Sequence, residues 1–256
     1  MGLFDLPAPV LGAIDQFMSL ALPAVIRLVL WGVLAGWMTM VIYRRLSNQE
    51  RIQQLKAEQK EQQKIISAFD GEFEQLFPVI GHTLALGMRQ LGLSLGPALL
   101  ATLPVLFVII WVAGAFGYQQ PATGSAIKIE IHTGQEVRER LQWDANAASE
   151  KTATGWVLSW PSSEHPASLL QDGKSLFKLP FSSSIPVIHK RQWWNWLMAN
   201  PIGYLPDDAA VDSIDIDLPP QQFVSFGPEW LRGWIFTFFA SFLISSIGFK
   251  LAMKID

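Results

Sequence analysis

Three long apolar stretches constrain the fold of this chain more than any other feature of its sequence. They cover about residues 20–43, 96–118 and 233–253, and their only charged residues are Arg27 and Lys250. A helix needs about 20 apolar residues to cross the hydrocarbon core of a bilayer. A soluble domain rarely buries three runs of this length as core helices. The sequence therefore predicts a membrane protein with three transmembrane α-helices.

The distribution of Lys and Arg predicts the orientation of these spans. Residues 44–95 contain seven basic residues, whereas residues 1–23 contain none. Segments rich in Lys and Arg stay on the cytosolic side of a membrane. We therefore expect residues 44–95 and the tail 254–256 to lie in the cytosol, and the N-terminal segment 1–19 and residues 119–232 to lie outside. The expected location is the inner membrane of a bacterium.

The predicted cytosolic segment changes character along its length. Residues 44–75 are rich in strong helix formers and contain no proline, which predicts a long solvated helix. From Phe73 to Leu95, apolar residues recur at three- and four-residue spacing, which is typical of an amphipathic helix. This stripe fits the second arm of a cytosolic helical hairpin over residues 44–95, or a helix in the inner membrane interface. Gly96 and Pro97 mark the predicted entry into the second span.

Four hydroxyl side chains fall at one depth, in the cytosolic half of the predicted spans: Thr39, Thr102, Ser245 and Ser246. Polar residues inside spans are functional candidates because lipid cannot solvate them. If the helix faces that carry them converge, they line a mildly polar groove that opens to the cytosol. The alternative is that each hydroxyl is a small packing residue or bonds back to its own helix.

Arg27 is the one charge inside the first span. A charge at the bilayer centre costs about 2.5 kcal/mol or more. Arg27 lies about seven residues from the predicted outer end of its span, so a long side chain there can reach the headgroups. Two interpretations stay open, a snorkelling anchor and a cation that lines the groove.

The pattern of residues 119–232 predicts a separate β-rich extracytoplasmic domain. Pro and Ser residues between its short strands indicate turns, as in a small β-sandwich. AIKIEIH (126–132) alternates strictly between apolar and polar residues, as a half-buried strand does. Residues 137–143, 155–160 and 213–218 are further predicted strands, and residues 192–205 begin with a helical pattern that stops at Pro201. With the three spans and the hairpin, the expected fold class is α+β.

Two residue clusters in this outer segment are candidate sites. Trp193, Trp194 and Trp196 form either a partner-binding patch, part of a core, or a belt on the membrane. The aspartates between Asp207 and Asp217 lack the Gly and terminal Glu of a calcium loop, so a solvated strand face is the better interpretation. The four histidines show no metal-ligand spacing, and there is no cysteine. We expect no metal and no cofactor.

The order of these elements resembles a known family. One span ends in YRRLSNQERIQQLKAEQKEQQKIISAFDG, and a helical cytosolic segment follows it. A second span then carries GPALLATLPVLFVIIWV. This layout resembles the YidC/Oxa-type membrane insertase superfamily, in particular its three-span branch, which includes the insertase subunit of the ER membrane complex and archaeal homologues. The resemblance covers about residues 20–118, and the third span by position only.

The resemblance implies a function as well as a layout. In that family a cytosolic coiled-coil hairpin joins the first two core spans, and three spans form a groove open to the cytosol. A groove arginine in the first core span is frequent there, and Arg27 is the candidate match in this chain. The family joins its second and third spans by a short loop, whereas here a 114-residue segment (119–232) intervenes. This insertion points to a specialised partner.

Two functions are therefore expected, and neither is enzymatic. The first is an insertase-like protein or membrane chaperone whose clients are other membrane proteins, with Arg27, Thr39, Thr102, Ser245 and Ser246 lining the groove. The second is an accessory or scaffolding subunit of a larger membrane complex that docks through its outer domain. A channel is a weaker hypothesis because the spans contain no acidic residue. The expected partners are membrane lipids and membrane proteins. Nucleic acid is not expected at a pI near 5.8.

Overall fold

The computed structural model describes residues 2–69, 73–144, 148–181, 183–193, 195–197 and 200–255. After a short 3₁₀ turn (Leu3–Asp5), these residues form seven α-helices: α1 (Ala8–Ser19), α2 (Ala24–Leu46), α3 (Gln49–Ser67), α4 (Phe73–Phe116), α5 (Gln135–Glu139), α6 (Glu229–Arg232) and α7 (Trp234–Ala252). They also form eight strands: β1 (Ala126–His132), β2 (Leu141–Trp143), β3 (Ser149–Lys151), β4 (Gly155–Ser159), β5 (Ala167–Gln171), β6 (Lys174–Leu179), β7 (Val187–His189) and β8 (Ser213–Ile216).

Three of the described helices are long and apolar enough to cross a membrane. They are α2, the part of α4 from Phe77 to Phe116, and α7. The three predicted apolar spans are therefore confirmed as helices, with bounds that differ from the predicted ones by a few residues, except at the start of α4.

The chain forms two compact units. The first comprises Met1–Leu28 and Phe107–Thr237, and the second comprises Val29–Leu106 and Phe238–Asp256.

The second unit contains the predicted hairpin. Between α2 and α3 the helix is interrupted at Asn48, whose side chain caps α3 by accepting a hydrogen bond from the Arg51 N–H at 3.0 Å. The following helices α3 and α4 approach each other, since a Cβ added at Gly87 would lie 3.7 Å from the Gln59 side-chain amide nitrogen. Each helix buries apolar residues, Ile52 and Leu55 on α3 and Leu86 on α4.

The second arm of this hairpin and the second span are one helix. α4 continues for 44 residues and contains Pro78, Pro97 and Pro104. The predicted boundary at Gly96–Pro97 is therefore not a helix boundary. A proline removes one backbone hydrogen bond and disfavours a helix interior, but an apolar environment favours the helix, because there every remaining backbone group must find its partner within the chain.

The first unit contains the predicted β-rich domain, built from two antiparallel sheets. Five strands pair in the order β3-β4-β1-β8-β7, and three pair in the order β2-β5-β6. The alternation of β1 places Ile127, Ile129 and Ile131 in the core, together with Trp156 and Leu158 of β4. The strands predicted at 126–132, 155–160 and 213–218 are confirmed as β1, β4 and β8.

Two local predictions in this domain are wrong. Residues 137–143 were expected to form one strand, but α5 ends at Glu139 and only Leu141–Trp143 is a strand. Arg138 ties this helix to its surroundings, since its guanidinium donates to the carbonyl oxygens of Ala153 and Thr133 at 2.7 and 3.2 Å. The helix expected at the start of residues 192–205 is replaced by turns in the described part of that segment.

The N-terminal helix α1 was not predicted, and its surface is unusual. Val10, Ile14 and Phe17 are exposed, although all three are apolar. Asp15 lies on the protected side of the helix, where it pairs with Arg27. The helix thus turns its charge inward and its apolar side chains outward, which is the reverse of a helix on a soluble protein.

Candidate functional site

The predicted groove residues were expected to face one another, and the structure gives the surroundings of each. Ser245 and Ser246 both lie beside Gly36, where an added Cβ would be 2.2 and 2.9 Å from their hydroxyl oxygens. One helical turn away, a Cβ at Gly32 would lie 2.0 Å from the Ser241 hydroxyl. These four positions, Gly32, Gly36, Ser241 and Ser245, form a contact between α2 and α7 that we call the glycine–serine seam.

The seam is a close helix–helix packing of the small-xxx-small type, in which small residues let two backbones approach. Its hydroxyls bond to their own helix: Ser241 donates to the Phe238 carbonyl at 2.8 Å, and Ser245 donates to the Phe242 carbonyl at 3.0 Å. Thr39 is buried and donates to the Ala35 carbonyl at 2.9 Å. The hydroxyls of Ser241, Ser245 and Thr39 therefore bond back to their own helices, which is the alternative to groove lining that the sequence left open.

Ser246 differs from the other hydroxyls of α7. Its oxygen is buried and makes no hydrogen bond within the part of the chain that the structure describes. Buried hydroxyls that lack a partner are uncommon in proteins.

Thr102 lies on a different surface. It is exposed and donates to the Leu99 carbonyl at 2.7 Å, next to the exposed Leu103. The protected face of α4 carries Ala101 and Val105 instead. The structure thus brings Ser245 and Ser246 together at Gly36 and leaves Thr102 on an exposed apolar face.

Arg27 belongs to the first unit, whereas the four hydroxyls belong to the second. Its guanidinium forms an ion pair with Asp15 of α1, and Nη1 also reaches the Asp15 carbonyl oxygen at 3.4 Å. It lies over the ring of Phe116, with 5.4 Å between the guanidinium carbon and the ring centroid. The structure therefore holds Arg27 in a specific, largely buried pair, an arrangement that neither sequence interpretation included.

The predicted tryptophan site lies on a loop that is held by one buried amide. We call residues 191–201 the tryptophan loop. The Asn195 side chain accepts from the Gln192 N–H at 2.8 Å and donates to the Lys190 carbonyl at 2.8 Å. The Tyr204 hydroxyl donates to the Asn195 carbonyl at 2.8 Å. With its polar groups satisfied, Asn195 fixes the loop where a helix was expected.

The chain's N-terminal segment binds to this loop. The Leu3 and Phe4 N–H groups donate to the carbonyl oxygens of Trp196 and Leu197 at 2.9 and 3.3 Å. Asp5 is buried, and its carboxylate accepts from the Gly2 and Asn200 N–H groups at 2.8 and 2.6 Å. Charge-assisted bonds of this kind are the stronger ones in proteins. The loop and the N-terminal segment therefore form one surface.

This surface displays its tryptophans to the outside. Trp193 is 85% exposed and Trp196 is 48% exposed, which excludes a core position for both. Leu197 and Leu6 beside them are exposed as well. Trp194 lies outside the described residues. Contiguous exposed apolar patches are typical of surfaces that contact a protein or a membrane.

The acidic cluster near the last strand is part of a charge-paired sheet face. Asp215 on β8 lies 2.8 Å from the His132 ring nitrogen on β1, and Lys128 lies 2.5 Å from the Glu130 carboxylate. The hydrogen bond and charge between Lys128 and Glu130 raise the pKa of Lys128 and lower the pKa of Glu130. Among the described residues, no three His, Asp or Glu side chains are placed to hold a metal ion.

Three residues with clear roles at these sites were missed from the sequence: Asp5, Asp15 and Asn195. Asp5 and Asp15 carried a signal, because they are the only charges in an N-terminal segment that is otherwise apolar or neutral. Charges in such a segment are costly unless they are paired. Asn195 sits among three tryptophans and gave no comparable signal. No family model, curated protein or solved structure matches this chain.

Proposed function

We propose that the chain is an integral membrane protein whose spans are α2, residues 96–116 of α4, and α7. The N-terminal segment and the β-rich domain would share one side of the membrane, since Leu3 hydrogen-bonds to Trp196. Two spans separate these segments, which agrees with a shared side. The seven basic residues of 44–95 support a cytosolic position for the hairpin. Helix α1, with 12 residues, is too short to cross and would lie in the outer interface.

The orientation can be tested with single cysteines, because the natural chain has none. Ala57→Cys places a thiol on an exposed position of α3, and Ser163→Cys places one on an exposed position of the β-rich domain. In intact cells an impermeant maleimide should label Ser163→Cys and leave Ala57→Cys unlabelled. Both should be labelled after the membrane is permeabilised. The reverse pattern in intact cells would refute the proposed orientation.

We further propose that the protein is a non-catalytic scaffolding subunit that holds another membrane protein at the outer surface of the membrane. One observation carries this proposal: Trp193 is 85% exposed on a loop that Asn195 anchors. Tryptophans in fixed positions are frequent hot spots of protein interfaces because they bury much area and lose little freedom. The docked N-terminal segment extends this apolar surface through Leu6.

Replacing both exposed tryptophans tests the scaffold. The Trp193→Ala, Trp196→Ala double variant should lose the protein's stoichiometric copurification with its partner. Its thermal unfolding should stay close to that of the natural protein, because exposed side chains away from buried networks change stability by about 0.5 kcal/mol or less. The readouts are a pull-down from mild detergent and a melting curve of the purified protein.

Phe226→Ala provides the matched control, since Phe226 is 74% exposed and lies outside the tryptophan loop. This variant should keep the partner. A photo-reactive residue at position 193 should form an adduct with a polypeptide of fixed mass. If the double variant keeps the same partners, or if only lipid adducts form, the loop is a membrane belt and the scaffold proposal is wrong.

A second candidate function is the insertase-like one, and the helical hairpin favours it. α3 and the first part of α4 approach each other and connect the first two apolar spans, as the resemblance to the YidC/Oxa-type superfamily implies. In this case depletion of the protein should reduce many unrelated membrane proteins in a membrane proteome. A scaffold predicts loss of one fixed set of partners instead.

A further inference from the structure

An apolar cavity of about 530 Å³ lies in the first unit, within the usual size range of small-molecule sites. Its walls come from the start of the chain, the last turns of α4, the loop that precedes β7, and one proline of the tryptophan loop. Its lining includes Phe4, Ala8, Ile110, Trp111, Gly114 and Ser184.

Small residues of α4 create this space. Ala113, Gly114 and Ala115 follow one another along the cavity wall. A Cβ added at Gly114 would meet no atom within 4 Å. The first atom of a larger side chain at this position would therefore meet open space beside the cavity. Gly114 is thus suited to a variant that fills the cavity while it leaves the helix intact.

The cavity has an apolar body and a polar edge. Phe4, Ile110 and Trp111 contribute apolar walls, whereas Tyr118 and Ser184 contribute hydroxyl groups. Asp5 also borders the space, but its carboxylate already accepts from two backbone N–H groups. The described lining contains no basic side chain. The ligand must therefore be mostly apolar, with a small polar end that is not held by a positive charge.

We propose that this cavity binds one acyl chain of a membrane phospholipid. The proposal rests on the proposed membrane topology, because that topology decides which molecules surround the cavity. Residues 110–115 belong to the last turns of the apolar part of α4, which ends at Phe116. The cavity wall is therefore a continuation of the span surface that faces lipid. Acyl chains are the apolar molecules present at that depth, and ester groups lie beside the headgroups.

A photo-reactive phospholipid tests the site. The purified full chain is reconstituted into nanodiscs of phosphatidylethanolamine and phosphatidylglycerol that contain a phospholipid with a diazirine in one acyl chain. After irradiation, peptides that cover residues 110–118 and 183–186 should carry the lipid. Gly114→Leu should reduce labelling of these peptides to background. Labelling of the exposed residues Ile244 and Leu251 of α7 should not change.

Gly92→Leu is the matched control, because Gly92 lies on the same helix and a Cβ there also meets no atom within 4 Å. This variant should label like the natural protein. Equal labelling of residues 110–118 in Gly114→Leu and Gly92→Leu would overturn the cavity proposal. So would labelling of α7 without labelling of the cavity peptides. Absence of lipid from α7 as well would contradict the membrane topology itself, so the two failures are distinguishable.

Discussion

The Asp15→Asn variant should be much less stable than a variant in which Asp15→Asn is combined with Arg27→Met. The Arg27 and Asp15 side chains are only 17% and 14% exposed, and they form an ion pair beside the Phe116 ring. Removing one partner of a buried pair leaves the other charge uncompensated and costs about 3–5 kcal/mol. Both side chains keep some solvent contact, so we expect a loss near the lower end of that range, about 3 kcal/mol.

Removing both charges should restore most of the stability, because a buried ion pair often contributes little against apolar residues of similar size. Arg27→Lys should fall between these two variants. It keeps the charge but loses the planar group that lies over Phe116 and reaches the Asp15 carbonyl oxygen. The free energy of unfolding of all three variants can be measured in mixed micelles. If Asp15→Asn is no less stable than the double variant, the pair does not stabilise the fold, and Arg27 acts as a snorkelling charge.

The three long apolar helices and the central strands could be predicted because their signals are local. A run of apolar residues at least as long as a bilayer is thick identifies α2, the end of α4, and α7. The alternation in residues 126–132 identifies β1, since every second residue must enter the core. Neither signal depends on contacts with distant parts of the chain.

One hairpin was missed although its turn carried a signal. β5 and β6 are joined by Asp172 and Gly173, which have φ values of 49° and 80°. A two-residue Asp-Gly turn between strands is the usual solution for a tight hairpin, because both positions need positive φ. The flanking segments lack strict alternation, so the turn itself was the better indicator.

The remaining site features depend on contacts that the sequence does not display. Depth along a span can be read from residue number, and this grouped Thr39, Thr102, Ser245 and Ser246 in the sequence. The direction in which a side chain faces depends on the neighbouring helix, so Thr102 could not be separated from Ser245 in this way. In the same way, Asn195 stabilises its loop through the Lys190 carbonyl, an interaction that overrides the helical pattern of the surrounding residues.

The glycine–serine seam is the basis of the second prediction with a large expected effect on stability. Gly36→Leu should strongly destabilise the protein. Its Cβ would lie 2.2 Å from the Ser245 hydroxyl and 2.9 Å from the Phe242 carbonyl oxygen. A hydroxyl can rotate away, but a helix carbonyl cannot, so α2 and α7 must separate. Overpacking costs about 1–3 kcal/mol, and the backbone contact places this variant at the upper end. Gly92→Leu has open space and should lose no stability.

Leucine replacements of the hydroxyl-bearing residues then distinguish a tightly packed helix contact from a water-filled groove. Ser245→Leu should destabilise the protein because the enlarged side chain meets Gly36, whereas Thr102→Leu should have little effect because Thr102 is exposed. A groove predicts a different result: with free space around Ser245, its leucine variant would unfold at the same or a higher temperature, and insertion of client proteins would fall. Melting curves of the two variants measure this difference directly. A stable Ser245→Leu protein would contradict the seam and favour the insertase-like function over the scaffold.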